Sequence, residues 1–205
     1  LEHLPGTLFR EPSGDACDLY HRYPDDISVL AGLGLNAFRF GIEWARIEPE
    51  CGAFSNAALD HYSRMVDACL ARGVTPVVTL HHFTSPRWLI SQGGWRSQST
   101  VGRFGEYAHR VMSRIGDRVE WVCTINEANV PLQLSQAGLI VTEAGGRFGD
   151  FLATAAQALG SDDPIPGIFF TAIDETSINV LNLAHREAVD AVHAANSSTM
   201  AGVTL

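Results

Sequence analysis

The run 119–129, V-E-W-V-C-T-I-N-E-A-N, is an apolar, β-branched stretch that ends abruptly in an amide and a carboxylate, Asn126 and Glu127. A buried strand ordinarily stops at Gly, Pro or a solvated turn, because a carboxylate at the rim of an apolar core loses hydration unless something compensates it. An acid set against Val122, Cys123 and Ile125 suits a proton donor, and its bland alternative is a rim carboxylate paired with an arginine. Asn126 can bond a substrate hydroxyl or simply cap the following turn. Two other apolar segments also end in polar side chains, Arg39 and Glu43 in the first, His81 and His82 in the second. Arg39 inside an apolar strand requires an anionic partner or a hydrogen-bond network, and an ion pair with Glu43 is the simplest. Adjacent histidines on a strand point to opposite faces, so His81 and His82 cannot share one ion without a bulge, and no metal is expected. Trp44, Trp88, Trp95 and Trp121 lie near strand ends or loops, where indole faces can stack on sugar rings, although core packing is their ordinary role.

The elements that must position these groups are legible from periodicity. Apolar stripes near period 3.6 predict helices over 24–33, 58–72, 100–115 and 178–195, and short apolar runs predict strands over 36–42, 74–80, 119–125 and 201–205. Strands alternating with long helices imply an α/β fold of parallel βαβ units with both sheet faces covered. In such folds the carboxyl ends of the strands form the working rim, which would bring Arg39, Glu43, His81, His82, Asn126 and Glu127 to one end of the sheet. Residues 131–176 are too long for an ordinary connection and read as a functional βα loop with a helix near 151–159. Four strands are half of an eight-stranded barrel, which typically takes about 250 residues. The expectation is therefore a partial (β/α)8 TIM barrel with outer helices, a single incomplete domain over 1–205.

Composition narrows the partners. With 205 residues and 46% hydrophobic content the chain can bury a sizeable core, and a net charge of -9 argues against nucleic acid or an anionic membrane. Small neutral molecules remain open, and oligomeric state is not encoded in any feature of the pattern. The four cysteines contain no C-x-x-C pair and read as reduced and structural. Residues 1–10 lack a basic segment followed by an apolar one, and no apolar run reaches membrane length, so a cytoplasmic location is expected.

Taken together the motifs resemble glycoside hydrolase family 1, the retaining β-glucosidase and β-galactosidase family. They run in order: A-C-D-L-Y-H-R-Y at 16–23, L-G-L-N-A-F-R-F-G-I-E-W-A-R-I at 33–47, V-T-L-H-H-F at 78–83, G-G-W at 93–95, T-I-N-E-A-N at 124–129, N-L-A-H-R-E-A-V at 182–189 and the final G-V-T-L. Residues 139–177 do not align. The resemblance implies a small-molecule β-glycoside substrate, no cofactor, Glu127 as acid/base, Asn126 at the sugar 2-hydroxyl, and His82 on the sugar. It further implies that Arg39 steers the nucleophile's charge and that Trp121 is mainly structural. The strands would be barrel strands two to five.

Retaining hydrolysis needs two carboxylates about 5–5.5 Å apart. The V-T-E-A-G at 141–145 is similar to the family's nucleophile motif T-E-N-G. However, Glu143 follows Glu127 inside one loop, whereas the family's nucleophile ends the seventh strand. Glu43 shares the strand parity of Arg39, but many relatives have no acid at the matching position. The nucleophile is expected to be absent, leaving the isolated chain inactive or nearly so. Two readings compete: a non-catalytic half-barrel that binds sugar or a partner, and a metal-dependent hydrolase using His81, His82 and Glu127.

Overall fold

The computed structural model describes residues 2–4, 11–138 and 146–205. In chain order it places α1 (Leu19–Gly32), β1 (Ala37–Gly41), α2 (Trp44–Ile47), α3 (Asn56–Leu70), β2 (Thr75–His81), α4 (Arg87–Ser91), a 3-10 turn at Gly94–Arg96 and α5 (Ser99–Ile115). Then come β3 (Trp121–Ile125), α6 (Val130–Gln136), α7 (Gly146–Leu159), a second 3-10 turn at Phe169–Thr171, α8 (Glu175–Ala195) and β4 (Met200–Gly202). The four strands form one parallel sheet in the order β1-β2-β3-β4. All four strands and the four long helices expected from periodicity are present. None of the described helices is long and apolar enough to cross a membrane.

The register explains which face is covered. Phe40, Val78 and Val122 lie in one row across β1, β2 and β3, and each is buried. They pack beneath the apolar stripes of α3, α5 and α8, including Met65, Val66, Phe104, Val111, Val180 and Ala184. Gly105 lets α5 approach α8, since a Cβ there would meet Glu187 Cβ at 3.1 Å. The next row, Arg39–Val77–Trp121–Met200, points the other way. Trp121 and Met200 are 48% and 58% exposed, so this face is open among the described residues. That corrects the expectation of a sheet covered on both faces: helices pack on one side only, as in a barrel wall whose inner side faces other strands.

Three further differences have physical causes. Helix α1 begins at Leu19 rather than residue 24, carrying Pro24 in its interior. Tyr20 stacks on His61 at 3.7 Å and Tyr23 meets it edge-on, so packing against α3 outweighs the backbone bond that Pro24 deletes. The stretch 131–176, expected as a βα loop with a helix near 151–159, holds that helix as part of α7 and adds α6, a 3-10 turn and the start of α8. Finally, Trp44 and Trp95 are buried core residues, packed with Phe104, Tyr107 and His81, and do not face the mouth. Trp88 donates to the Glu48 carbonyl at 2.9 Å and packs edge-on against Trp44.

The 93–95 motif has a steric basis. Gly94, at φ +54°, sits so close to Gly167 that a Cβ on it would lie 2.0 Å from the Gly167 carbonyl oxygen. Trp95 N–H donates to that same carbonyl at 2.8 Å, which fixes the buried indole beside His81.

Candidate active site

The sheet ladder delivers the polar groups to one rim. Beyond β3, Asn126 N–H donates to His81 O at 2.9 Å, extending the β2–β3 pairing by one residue and setting Asn126 next to His82. The Asn126 side chain, 1% exposed, then becomes a junction. Its Oδ1 accepts from Arg39 Nη1 at 2.9 Å and from Thr204 Oγ1 at 3.0 Å, while Nδ2 lies 3.2 Å from His82 Nε2. An amide nitrogen can only donate, so His82 Nε2 accepts and its proton sits on Nδ1. The electrostatics agree with a neutral ring: burial and the Arg39 charge lower the His82 pKa, opposed by Glu127.

Glu127 follows in the left-handed region at φ +50°, a conformation on the order of 1 kcal/mol above the ordinary one for a residue with a Cβ. Two bonds hold it. Its N–H donates to Thr204 Oγ1 at 3.0 Å, and its carbonyl accepts from Val130 N–H at 3.0 Å, opening α6. Phe83, φ +70°, makes the equivalent turn after His82. At both strand exits the chain reverses immediately after the last polar residue of the ladder, and the Glu127 side chain stays half-buried.

Arg39 therefore donates one Nη1 bond to Asn126 and forms no ion pair with Glu43, which corrects the simplest expectation for it. The Glu43 carboxylate instead accepts the Thr84 hydroxyl, with its oxygens at 2.8 and 3.0 Å. Glu43, His82 and Thr84 line a small cavity of about 80 Å³ between the exits of β1 and β2. Beneath it, Glu43 N–H donates to Tyr62 Oη, and Tyr107 Oη lies 2.8 Å from Ile42 O and 2.9 Å from Leu80 O. Burial pushes the Tyr62 hydroxyl up to about 12, so both phenols stay protonated scaffolding.

His81 lies on the opposite face, 1% exposed, with its ring 4.7 Å from Trp95 and 5.2 Å from Phe169. Burial, then the neighbouring His82, pushes it down to about 3. Its Nε2 meets Ser85 Oγ at 3.0 Å, and Ser85 in turn accepts from Trp95 Nε1 at 3.0 Å. The two histidines thus point apart, one into the core and one into the mouth. Among the described residues no group of three or more His, Cys, Asp or Glu could hold a metal ion. All four cysteines are free, and Cys69 and Cys123 are buried. Glu143 lies outside the described residues.

The structure brings Arg39, His82, Asn126 and Glu127 to one rim, and adds two residues that sequence reasoning missed. Thr204 and Thr84 orient Asn126 and Glu43 through single hydroxyls. Nothing in a threonine's neighbourhood along the chain announces such a role; the pairing of β4 with β3 sets Thr204 in place, and that of β2 with β1 sets Thr84.

Residues 2–146 match the model of glycosyl hydrolase family 1. The chain belongs to that family. Among curated family members it is 46% identical over 129 residues to thermostable beta-glucosidase B of Thermobispora bispora, and 42% identical over 127 residues to a beta-glucosidase of Agrobacterium sp.. Those alignments cover 62% and 61% of this chain but 27% and 28% of the relatives. The solved beta-glycosidase BGL167 superimposes on the whole chain with a TM-score of 0.93 and 47% identity, and the match covers 49% of that structure. The chain thus spans about a quarter of the curated relatives' length and about half of this solved one. Its four strands are part of a (β/α)8 barrel.

Proposed function

We propose that the parent protein hydrolyses β-glycosidic bonds of small-molecule glycosides with net retention, and that this chain carries the acid/base half of the site in one incomplete barrel domain. The observation that carries the reading is Asn126 bonded to both Arg39 and His82, one residue before Glu127. A buried amide held from both ends is preorganised to meet a sugar hydroxyl, with His82 as a second contact. Arg39 contributes positive charge beside the position where a nucleophilic carboxylate would act. The names of the relatives, beta-glucosidases, support the substrate class, as does a solved complex of SghA with its substrate analog salicin.

In the first step the Glu127 carboxyl gives its proton to the glycosidic oxygen while a second carboxylate attacks the anomeric carbon and the C–O bond to the leaving group breaks. In the second, Glu127, now ionised, takes a proton from water, whose oxygen attacks the same carbon and frees that carboxylate. By the family's pattern the nucleophile ends the seventh strand, which the four strands here do not include, so the isolated chain is expected to be silent. The competing reading, a half-barrel that binds sugar without turnover, draws on the exposed inner-face Trp121.

The test is leaving-group dependence in the full-length parent. Glu127→Ala should lower kcat/KM on an alkyl β-glucoside by roughly 10²–10⁴-fold. A dinitrophenyl glucoside, whose phenolate departs without a proton, should lose far less in bond cleavage. Equal losses on both would remove Glu127 from the acid role. Turnover by the isolated chain, abolished by Glu127→Gln, would overturn the missing nucleophile.

A further inference from the structure

A second cleft, sharing no lining residue with the mouth, opens between α1, α2 and the start of α3, with a volume of about 540 Å³. Tyr20, Arg46, Ser55, Ala57, His61 and Arg64 are among its walls, and no carboxylate lines it. Neither Arg46 nor Arg64 has an ion pair or hydrogen-bonded partner among the described residues; Arg46 lies over the Tyr20 ring at 4.1 Å. By contrast Arg96, Arg114 and Arg118 are all engaged with aspartates. In a chain of net charge -9, two free guanidinium groups facing one cleft without a counter-charge stand against the overall field.

The third basic wall is His61, 8% exposed and stacked on Tyr20, with a buried Nε2 that has no partner. Its pKa is lowered by burial and then by Arg64, Arg46 and His21, which reports the positive potential at this point. The start of α3 adds to it. Ser55 caps Ala58 N–H at 3.2 Å, which leaves the first-turn amides of Asn56 and Ala57 without intrahelical acceptors at the positive end of a 15-residue helix. Planar guanidinium forks and a helix start are the combination that suits a tetrahedral oxyanion, and Ala45, Pro49 and Ala57 offer apolar contact for an ester group.

We propose that this cleft is a phosphate-binding site, in which Arg46 and Arg64 clamp the phosphate group beside His61 and the start of α3. It stands independently of the glycosidase reading. The occupant is either free phosphate or the phosphate of a small organic ester, and the two are separable by titration.

The experiment is isothermal titration of this chain with inorganic phosphate and with phenyl phosphate, chloride replacing each at constant ionic strength. Saturable one-to-one binding is expected, weakened at least about tenfold, roughly 1.4 kcal/mol, in the Arg46→Gln/Arg64→Gln double variant and unchanged in Arg186→Gln on the distant α8. Should the double variant unfold, Arg64→Gln alone, whose exposed side chain has no bonded partner to lose, should still weaken binding severalfold. Tighter phenyl phosphate assigns the occupant to an ester, and equal affinities assign it to free phosphate. No saturable heat with either probe, or undiminished affinity in the arginine variants, overturns the proposal.

Discussion

Replacing Tyr107 by phenylalanine removes one oxygen from the support beneath the active rim and leaves the packing intact. The ring is fully buried, stacked on Trp44 with centroids 5.0 Å apart, and phenylalanine fills the same space. What disappears is the hydroxyl between Ile42 O and Leu80 O, at 2.8 and 2.9 Å. One proton cannot serve two acceptors at once, so the loss is about one hydrogen bond, plus incomplete satisfaction of carbonyls at the exits of β1 and β2. Removing a buried partner in this way costs about 1–3 kcal/mol, against about 0.5–1.5 for an average exchange with water. With a urea slope near 2 kcal/mol/M, the unfolding midpoint of Tyr107→Phe should fall by about 0.5–1.5 M with the slope unchanged. Far-UV circular dichroism during a urea titration reads it directly. A midpoint within about 0.2 M of the parent's would refute the reasoning, because it would mean that neither carbonyl depended on the phenol.

Acidification should destabilise the chain through His81. Its folded pKa of about 3 lies below the unfolded value of about 6.5, so the unfolded state binds the proton first. Stability is held above pH ~6.5 and lost as pH falls towards 3, at up to about 1.4 kcal/mol per pH unit from this group, and the loss levels off below that. Urea midpoints measured across pH 4–7 should show that limb in the parent and a shallower one in His81→Gln; parallel limbs would contradict it. Thr204→Val keeps the shape and deletes the hydroxyl that bridges Asn126 Oδ1 and Glu127 N–H. It should lower stability by about 1 kcal/mol and move the Asn126 side-chain amide resonances, and unmoved resonances would show that Arg39 and His82 alone fix that amide.

Much of this architecture was readable because it depends on local period. The stripes of α3, α5 and α8 and the apolar strands between them repeat at spacings that survive any tertiary context. Helix α1 starts earlier than its local pattern implies because Pro24 is a strong local stop signal, and only His61, far along the chain, makes Tyr20 and Tyr23 worth ordering in helical form. Helices α2 and α4, of four and five residues, are too short to complete two turns and leave no periodic trace. At the rim, residue types marked Asn126, Glu127, His82 and Arg39, while their mutual bonding was invisible. The guanidinium of Arg39 has two chemically reasonable acceptors, Glu43 and Asn126, and the choice is made by the register of three strands. The tryptophans mislead for a related reason: an indole is at home both in a core and against a sugar, and depth alone separates Trp44 and Trp95 from Trp121.

The strand order has a consequence for how the rim comes into being. Each strand pairs with the one that precedes it in the chain, so the wall can grow by accretion at a single edge while a nascent polypeptide leaves the ribosome, without waiting for distant segments. Growth in that order would give the junction at Asn126 its arginine first, its imidazole second, and the threonine that locks it last, when the fourth strand docks.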